Sequence, residues 1–258
     1  MLVDSHCHLD IMDKQYSPEA VAAYVEQAKV NDVAYMQCVS INMQDFPKIL
    51  DIANRFNNVF ASVGVHPNDK NEPEVTQEEL VKCAADENVI AIGETGLDYF
   101  RSSGDLDWQR DRFRTHIAAA KEAKKPLIIH IRDAFADAIK IMEEENAGEV
   151  GGVVHCFTGN LDEAKHAIDL NFHIGISGIV TFNSAAEIKE VAANIPEHRL
   201  LVETDSPFLA PVPHRGKPNV PAYVRHVAQC IAQLRDEPLE KVAAYTTENF
   251  FKLFPAKR

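Results

Sequence analysis

The chain has 258 residues, 26 Lys and Arg against 39 Asp and Glu for a formal net charge of −13, and 46% apolar residues. That length and composition suit a soluble globular fold with a core of its own, and no apolar run reaches the ~20 residues of a membrane span, so disordered, fibrous and membrane-spanning classes are excluded. The N-terminal MLVDSHCHLD meets a charged residue at position 4 and the five cysteines form no CxxC pair, so we expect no targeting peptide, free thiols and a cytoplasmic protein.

In chain order, β-rich runs predict strands over Met1–His6, Val33–Val39, Val59–Val65, Val89–Gly93, Leu127–Ile131, Gly152–His155, His173–Ile179 and Leu200–Glu203. Most are nearly continuous in Val, Ile, Leu and Ala, as in parallel strands buried on both faces. Helical patterning fills the intervals. Ser17-Pro18 reads as an N-cap and first-turn proline ahead of Val21, Tyr24, Val25 and Ala28 on one face. Asp105–Lys124 forms a longer helical stretch before Pro126, and Leu239, Val242, Ala243, Phe250 and Leu253 share a face near the end. Eight β-α alternations in a chain of this length predict a single (β/α)8 barrel, an α/β TIM-type fold spanning residues 1–258. A doubly wound open sheet is the rival, but no GxGxxG follows the first strand and polar residues close several strands instead of gathering at one switch point. The loop Ser206–Pro221 holds five of the 13 prolines and follows the eighth strand, where barrel active sites collect their loops. No exposed apolar helix face stands out, so a monomer is expected.

Histidines and acids fall in a telling pattern. His6 and His8 are two apart at the end of the first strand and therefore share a face, with Cys7 pointing away. His66 closes the third strand, Glu94 the fourth, His130 the fifth, His155 the sixth and Asp205 the eighth. Taken singly, each reads equally as a packing histidine or a helix cap. The other six histidines, His116, His166, His173, His198, His214 and His226, lie on helices, loops or a strand start. Ligand-type groups converging on one barrel rim are costly to desolvate unless cations neutralise them. His6, His8, Glu94, His130, His155 and Asp205 would serve two divalent ions, with Glu94 midway round the ring as the bridge. Imidazole-rich ligation favours Zn2+, while mixed N/O ligands also suit Mn2+ and carboxylates admit Mg2+. A cation pair acidifies a shared water and clamps a phosphoryl or carbonyl oxygen. Asp205 doubles as the general base, which makes Asp205 and Glu94 the expected catalytic pair.

The segments MLVDSHCHLD, GVHP, GETGLDY, PLIIHIRDA, GVVHCFTG, SGIVTF, LLVETDSPFLAPVPHRGKPN and TTENFFKLF resemble, in content and order along the whole chain, the signature segments of the TatD family of metal-dependent hydrolases, closest to its bacterial YcfH-like branch. The resemblance implies the same six ligands, with the Glu of GETGLD in place of the carboxylated lysine of the wider amidohydrolase-like superfamily. It also implies a phosphodiesterase, a DNase acting on single strands or 3′ ends. His66 is then expected near the substrate phosphate or a third metal position. Arg132 shares the face of His130 and offers either a phosphate contact or an ion pair with Asp133 or Glu203. Glu203 is expected behind the ligands, orienting a histidine through its other ring nitrogen. His214, Arg215 and Lys217 of the PHRGK run form either a phosphate grip or a solvated surface run. Tyr99 and Phe100 could stack a base or simply pack. Cys7 and Cys156 are expected as buried thiols, not ligands. Two rivals keep the metal site: a small-molecule amidase, lactonase or phosphoesterase, and a metal-bearing interaction protein. The acidic charge requires any attraction for nucleic acid to be local, since such proteins usually draw most of their affinity from basic surfaces.

Overall fold

The computed structural model describes residues 1–13, 16–70 and 73–258. Its strands are β1 (Leu2–Cys7), β2 (Val33–Cys38), β3 (Val59–Val63), β4 (Val89–Asp98), β5 (Leu127–Arg132), β6 (Gly152–Val154), β7 (Phe172–Ile176) and β8 (Leu200–Val202). They pair in parallel in strict chain order as one eight-stranded sheet. A parallel bridge between Cys7 and Ser206 joins the two ends. Hydrogen bonds from the Asp205 N–H to the His6 carbonyl (2.9 Å) and from the His8 N–H to the Ser206 carbonyl (2.8 Å) extend that seam. The result is the expected eight-stranded barrel with alternating helices.

Those helices are α1 (Pro18–Val30), α2 (Phe46–Arg55), α3 (Gln77–Ala84), α4 (Asp107–Ala123), α5 (Phe135–Glu144), α6 (Leu161–Asp169), α7 (Ala186–Asn194), α8 (Val224–Arg235) and α9 (Leu239–Leu253). Ser17 caps α1 as its sequence suggests, its hydroxyl accepting from the Ala20 N–H at 3.1 Å. Buried apolar side chains fall into two clusters. One lies between the strands and the surrounding helices. The other includes Ile128, Val153 and Leu201 together with Phe250 and Phe254 from the α9 end of the chain. Ile128, Val153 and Leu201 precede His130, His155 and Glu203 by two, so they share a strand face. One face therefore carries apolar residues low in the barrel and polar ones at its C-terminal mouth.

The strand ends differ most from expectation at β4, which runs to Asp98 instead of stopping at Gly93. Glycines in the GETG run read as a stop, but here they permit a shift of register against β5 between Ile92 and Thr95. Gly96 takes φ +133°, and a Cβ there would lie 2.1 Å from the His130 carbonyl oxygen. Only glycine lets β4 pass β5 that closely. In the opposite sense β7 ends at Ile176, and the apolar run beyond it turns into a short 3-10 helix over Gly178–Thr181. None of the helices among the described residues is long and apolar enough to cross a membrane.

Candidate metal centre

Glu94 is the hub. Its carboxylate is 2.7 Å from His155 Nε2, 3.0 Å from His130 Nδ1, 3.3 Å from His6 Nε2, 3.4 Å from His66 Nε2 and 4.0 Å from His8 Nε2. Asp205 approaches from the opposite edge, its Oδ1 3.4 Å from His8 Nε2 and 3.8 Å from His6 Nε2. His6 and His8 bring their Nε2 atoms within 3.3 Å of each other, as an i, i+2 pair on one face must. The His6 and His155 rings stack at 3.9 Å between centroids. Residues spread over six strand ends thus meet in one well at the barrel mouth.

Most imidazoles are held from behind. His8 Nδ1 lies 2.9 Å from the Val39 carbonyl oxygen, which takes its proton and turns Nε2 toward the acids. His130 Nε2 lies 3.1 Å from Asp98 Oδ2, so its Nδ1 faces Glu94. His155 turns Nδ1 toward Glu203 Oε1 at 3.6 Å. Outer partners such as Val39 and Asp98 fix the tautomer and aim of a ligating histidine, whereas His155 Nδ1 at this separation from Glu203 makes no hydrogen bond. Asp98 escaped the sequence reading because the fourth strand was expected to end before it. Its signal was present, since it follows Glu94 by four in a strand and so keeps the same face. Asn68 Nδ2 donates to Asp98 Oδ2 at 2.7 Å, and Gln109 Oε1 accepts from its backbone N–H at 3.0 Å.

His66 is built differently. Its Nδ1 accepts from the Asn68 N–H at 3.0 Å, so the ring proton sits on Nε2, the nitrogen facing Glu94. Burial lowers its pKa to about 4 despite the pull of Glu94, which keeps the ring neutral. A neutral Nε2–H donates a hydrogen bond and has no lone pair there for a cation.

The electrostatics of the well call for positive charge. Burial works against the carboxylate of Glu94, but the surrounding His155 and His66 hold its pKa well below the usual range. Burial likewise opposes charge on His8, yet Asp205 pushes it up to about 9, and Glu94 pulls His155 well above its ordinary value. The attraction that draws protons onto these rings is one that divalent cations would satisfy instead. Buried His6 Nδ1 and Glu203 Oε2 have no hydrogen-bond partner, a cost that a bound ion or its waters would relieve. Among the described residues, ligand-type atoms lie within 4.8 Å of one another in three sets: His6, His8 and Asp205; His66, Glu94 and His130; and His6, His155 and Glu203. Imidazoles and carboxylates gathered in this way form a donor set that divalent cations suit.

Behind Asp205 the turn out of β8 is clasped by Asp4. Its carboxylate accepts from the Thr204 N–H (2.8 Å) and hydroxyl (2.6 Å). Burial pushes Asp4 up to about 8. Asp205 itself sits at φ +56°. Cys7 lies in the wall, its thiol donating to the Gln37 carbonyl at 3.3 Å, and Cys156 contacts the Ser177 hydroxyl at 3.3 Å, so neither thiol is turned to the acids.

The remaining candidates lie further out. Arg132 stacks its guanidinium 4.0 Å over the Phe100 ring and pairs with neither Asp133 nor Glu203. Tyr99 is engaged sideways, its hydroxyl donating to Asp137 at 2.7 Å. Within the PHRGK run, His214 stacks on Tyr223 at 3.9 Å and brings Nε2 within 3.2 Å of His226 Nε2. Its ring is taken up by the start of α8 and is not among the groups around Glu94. Arg215 lies 4.3 Å over Phe182, and Arg215 and Lys217 are exposed.

Comparison with known proteins agrees with this architecture. The family model described as TatD related DNase matches residues 3–255. The uncharacterized metal-dependent hydrolase YcfH of Escherichia coli K12 is 44% identical over 253 residues, covering 98% of this chain and 95% of the relative. The 3'-5' ssDNA/RNA exonuclease TatD of Escherichia fergusonii is 34% identical over 219 residues, 83% of this chain and 84% of that protein. Among solved structures, YJJV, a TatD homolog from Escherichia coli K12, superposes with a TM-score of 0.91 at 27% identity, covering 99% of this chain and 98% of that one. With the family model matched over nearly all of its length and a YcfH hydrolase at 44% identity, this chain belongs to the TatD family of metal-dependent hydrolases.

Proposed function

We propose that the protein is a two-metal phosphodiesterase that hydrolyses single-stranded DNA, in which His6, His8, Glu94, His130, His155 and Asp205 would hold the ions. The observation that carries this reading is the ring of five imidazoles within 4.0 Å of the Glu94 carboxylate. A cation pair in such a well supplies an acidified water and positive charge opposite a phosphoryl oxygen.

The chain's own groups do the rest. Asp205 is the more solvent-open of the two acids, at 14% side-chain exposure against 3% for Glu94. His8 and His6 outweigh its burial and hold it below the usual carboxylate range, so at neutral pH it is ready to take the proton of the attacking water. His66 offers its Nε2–H to a phosphoryl oxygen, where charge grows as the water attacks. Glu203 stands behind His155 and steadies its ring. Arg132, Arg215 and Lys217 meet the phosphates on either side of the scissile one, a local attraction that a chain of net charge −13 requires. The nuclease activity named for the Escherichia fergusonii relative supports the choice of substrate.

The test is turnover of a single-stranded oligonucleotide with Mg2+, Mn2+ or Zn2+. Glu94→Ala and Asp205→Asn are each expected to lose about 10²-fold or more, the usual scale for removing a positioned acid–base group. Unchanged turnover in either variant overturns the assignment. A small ester cleaved in place of the oligonucleotide, with no dependence of its binding on salt, would instead identify a small-molecule hydrolase.

A further inference from the structure

Among the described residues, five large hydrophobic side chains are exposed: Met1, Val30, Phe100, Phe208 and Val212. Met1 is the chain end and Val30 the last residue of α1. The other three all lie on loops at the barrel mouth, and the only aromatic rings of the set, Phe100 at 61% and Phe208 at 52% exposure, are both there. A single exposed ring is ordinary on a protein surface. Two rings placed on the rim of a polar well are less so.

Their positions relative to the well are specific. Phe208 follows Asp205 by three, and its ring lies 6.2 Å from that of His8. Phe100 follows Asp98 by two, and Asp98 holds His130. In an eight-stranded ring, the seam between β8 and β1 lies opposite β4 and β5, so the rings flank the well from opposite sides. Cations accompany them: Arg132 over Phe100, and Arg215 with Lys217 on the same loop as Phe208. None of the three basic groups has a carboxylate partner among the described residues.

Resting on the nucleic-acid reading above, we propose that Phe100 and Phe208 are base-stacking platforms for the nucleotides on the two sides of the scissile phosphate. Flat apolar faces alternating with cations match a single strand, which presents a π-face and a phosphate at each nucleotide. A phenyl ring carries no hydrogen-bond code, so the grip is indifferent to base identity. It also selects against duplex, whose bases already stack on each other.

The experiment compares the original chain with Phe100→Ala and Phe208→Ala on a short single-stranded oligonucleotide and on the same strand made abasic. Each variant is expected to raise KM for the ordinary strand by about 5- to 100-fold, the range of one lost base stack, with the loss carried in KM and not in kcat. The abasic strand, having nothing to stack, should bind the variants as tightly as it binds the original chain. An ordinary-strand KM unchanged in both variants, or an equal loss on the abasic strand, overturns the proposal while leaving the nuclease reading intact. If the original chain cleaves no oligonucleotide at all, the nuclease reading falls first, and this proposal with it.

Discussion

Asp98 shows how a residue outside the ligand set governs the well. Its Oδ2 takes the Nε2 side of His130, so the nitrogen left facing Glu94 is Nδ1, and Asn68 in turn fixes the carboxylate. Without that partner nothing on the Nε2 side sets the tautomer, and only the contact with Glu94 orients the ring. Asp98→Ala should therefore weaken metal binding about 10- to 100-fold, the usual consequence of losing a residue that orients a ligating histidine. Calorimetric titration of the metal-free variant measures this, and an affinity equal to that of the original chain would show that His130 needs no such support. His66 is the contrasting case, for a backbone N–H rather than a carboxylate fixes its tautomer, and in the opposite sense. The expectation of a third metal position at His66 meets an obstacle there, because the nitrogen turned to the well carries the proton. The HxH pair and the strand-end histidines were legible because period-two geometry makes side-chain direction readable without coordinates. Which ring nitrogen faces the site was not legible, since it depends on neighbours such as Val39, Asn68 and Asp98 that reach the well through other strands and loops.

At the scale of elements, α4 secures the segment that carries His66. Arg112 donates to the His66 carbonyl at 2.9 Å, and His116 accepts from the Val65 N–H at 3.0 Å while donating to the Arg112 carbonyl at 2.8 Å. His116 is fully buried, and burial lowers its pKa from 6.5 to about 4. The unfolded chain therefore binds this proton at a higher pH than the folded one. The stability His116 confers as a neutral ring is complete above pH 6.5 and is lost as the pH falls toward 4. At about 1.4 kcal/mol per pKa unit the loss amounts to about 3 kcal/mol. Urea unfolding of the original chain and of His116→Gln across that interval provides the check. The original should lose the larger share of its stability, and parallel curves for the two would contradict the argument. Apolar runs located every strand, but they misjudged strand ends, most of all at β4 and β7. Gly93 and Gly96 look like a strand end when read locally, whereas their purpose is the close passage of β4 along β5. The run after β7 is apolar enough to read as more strand, yet the close approach of Gly178 to the Leu209 carbonyl shows it turning to meet the β8 loop.

For the molecule as a whole, the floor and the mouth of the barrel divide the labour. Phe250 and Phe254 join the apolar cluster that holds Ile128, Val153 and Leu201, while the same strand faces end above in imidazoles and carboxylates. A rigid floor under a polar mouth is what keeps groups from six strands within a few ångströms of Glu94. On the proposed reading, this arrangement would also reconcile a net charge of −13 with an anionic substrate, because the attraction would be concentrated in cations held by the well and a few basic rim side chains. The barrel was legible from eight apolar runs in regular alternation with helical stretches, and the site from ligand types recurring at their ends. The contacts of the PHRGK loop were not, because His214 finds its partners in Tyr223 and His226, which no local pattern connects to it. The most direct test of the account is calorimetric titration of the metal-free protein with Mn2+ or Zn2+. Two equivalents should bind per chain, and Glu94→Ala should abolish the binding of at least one. A chain that binds no divalent ion, or whose binding is indifferent to Glu94, would contradict it.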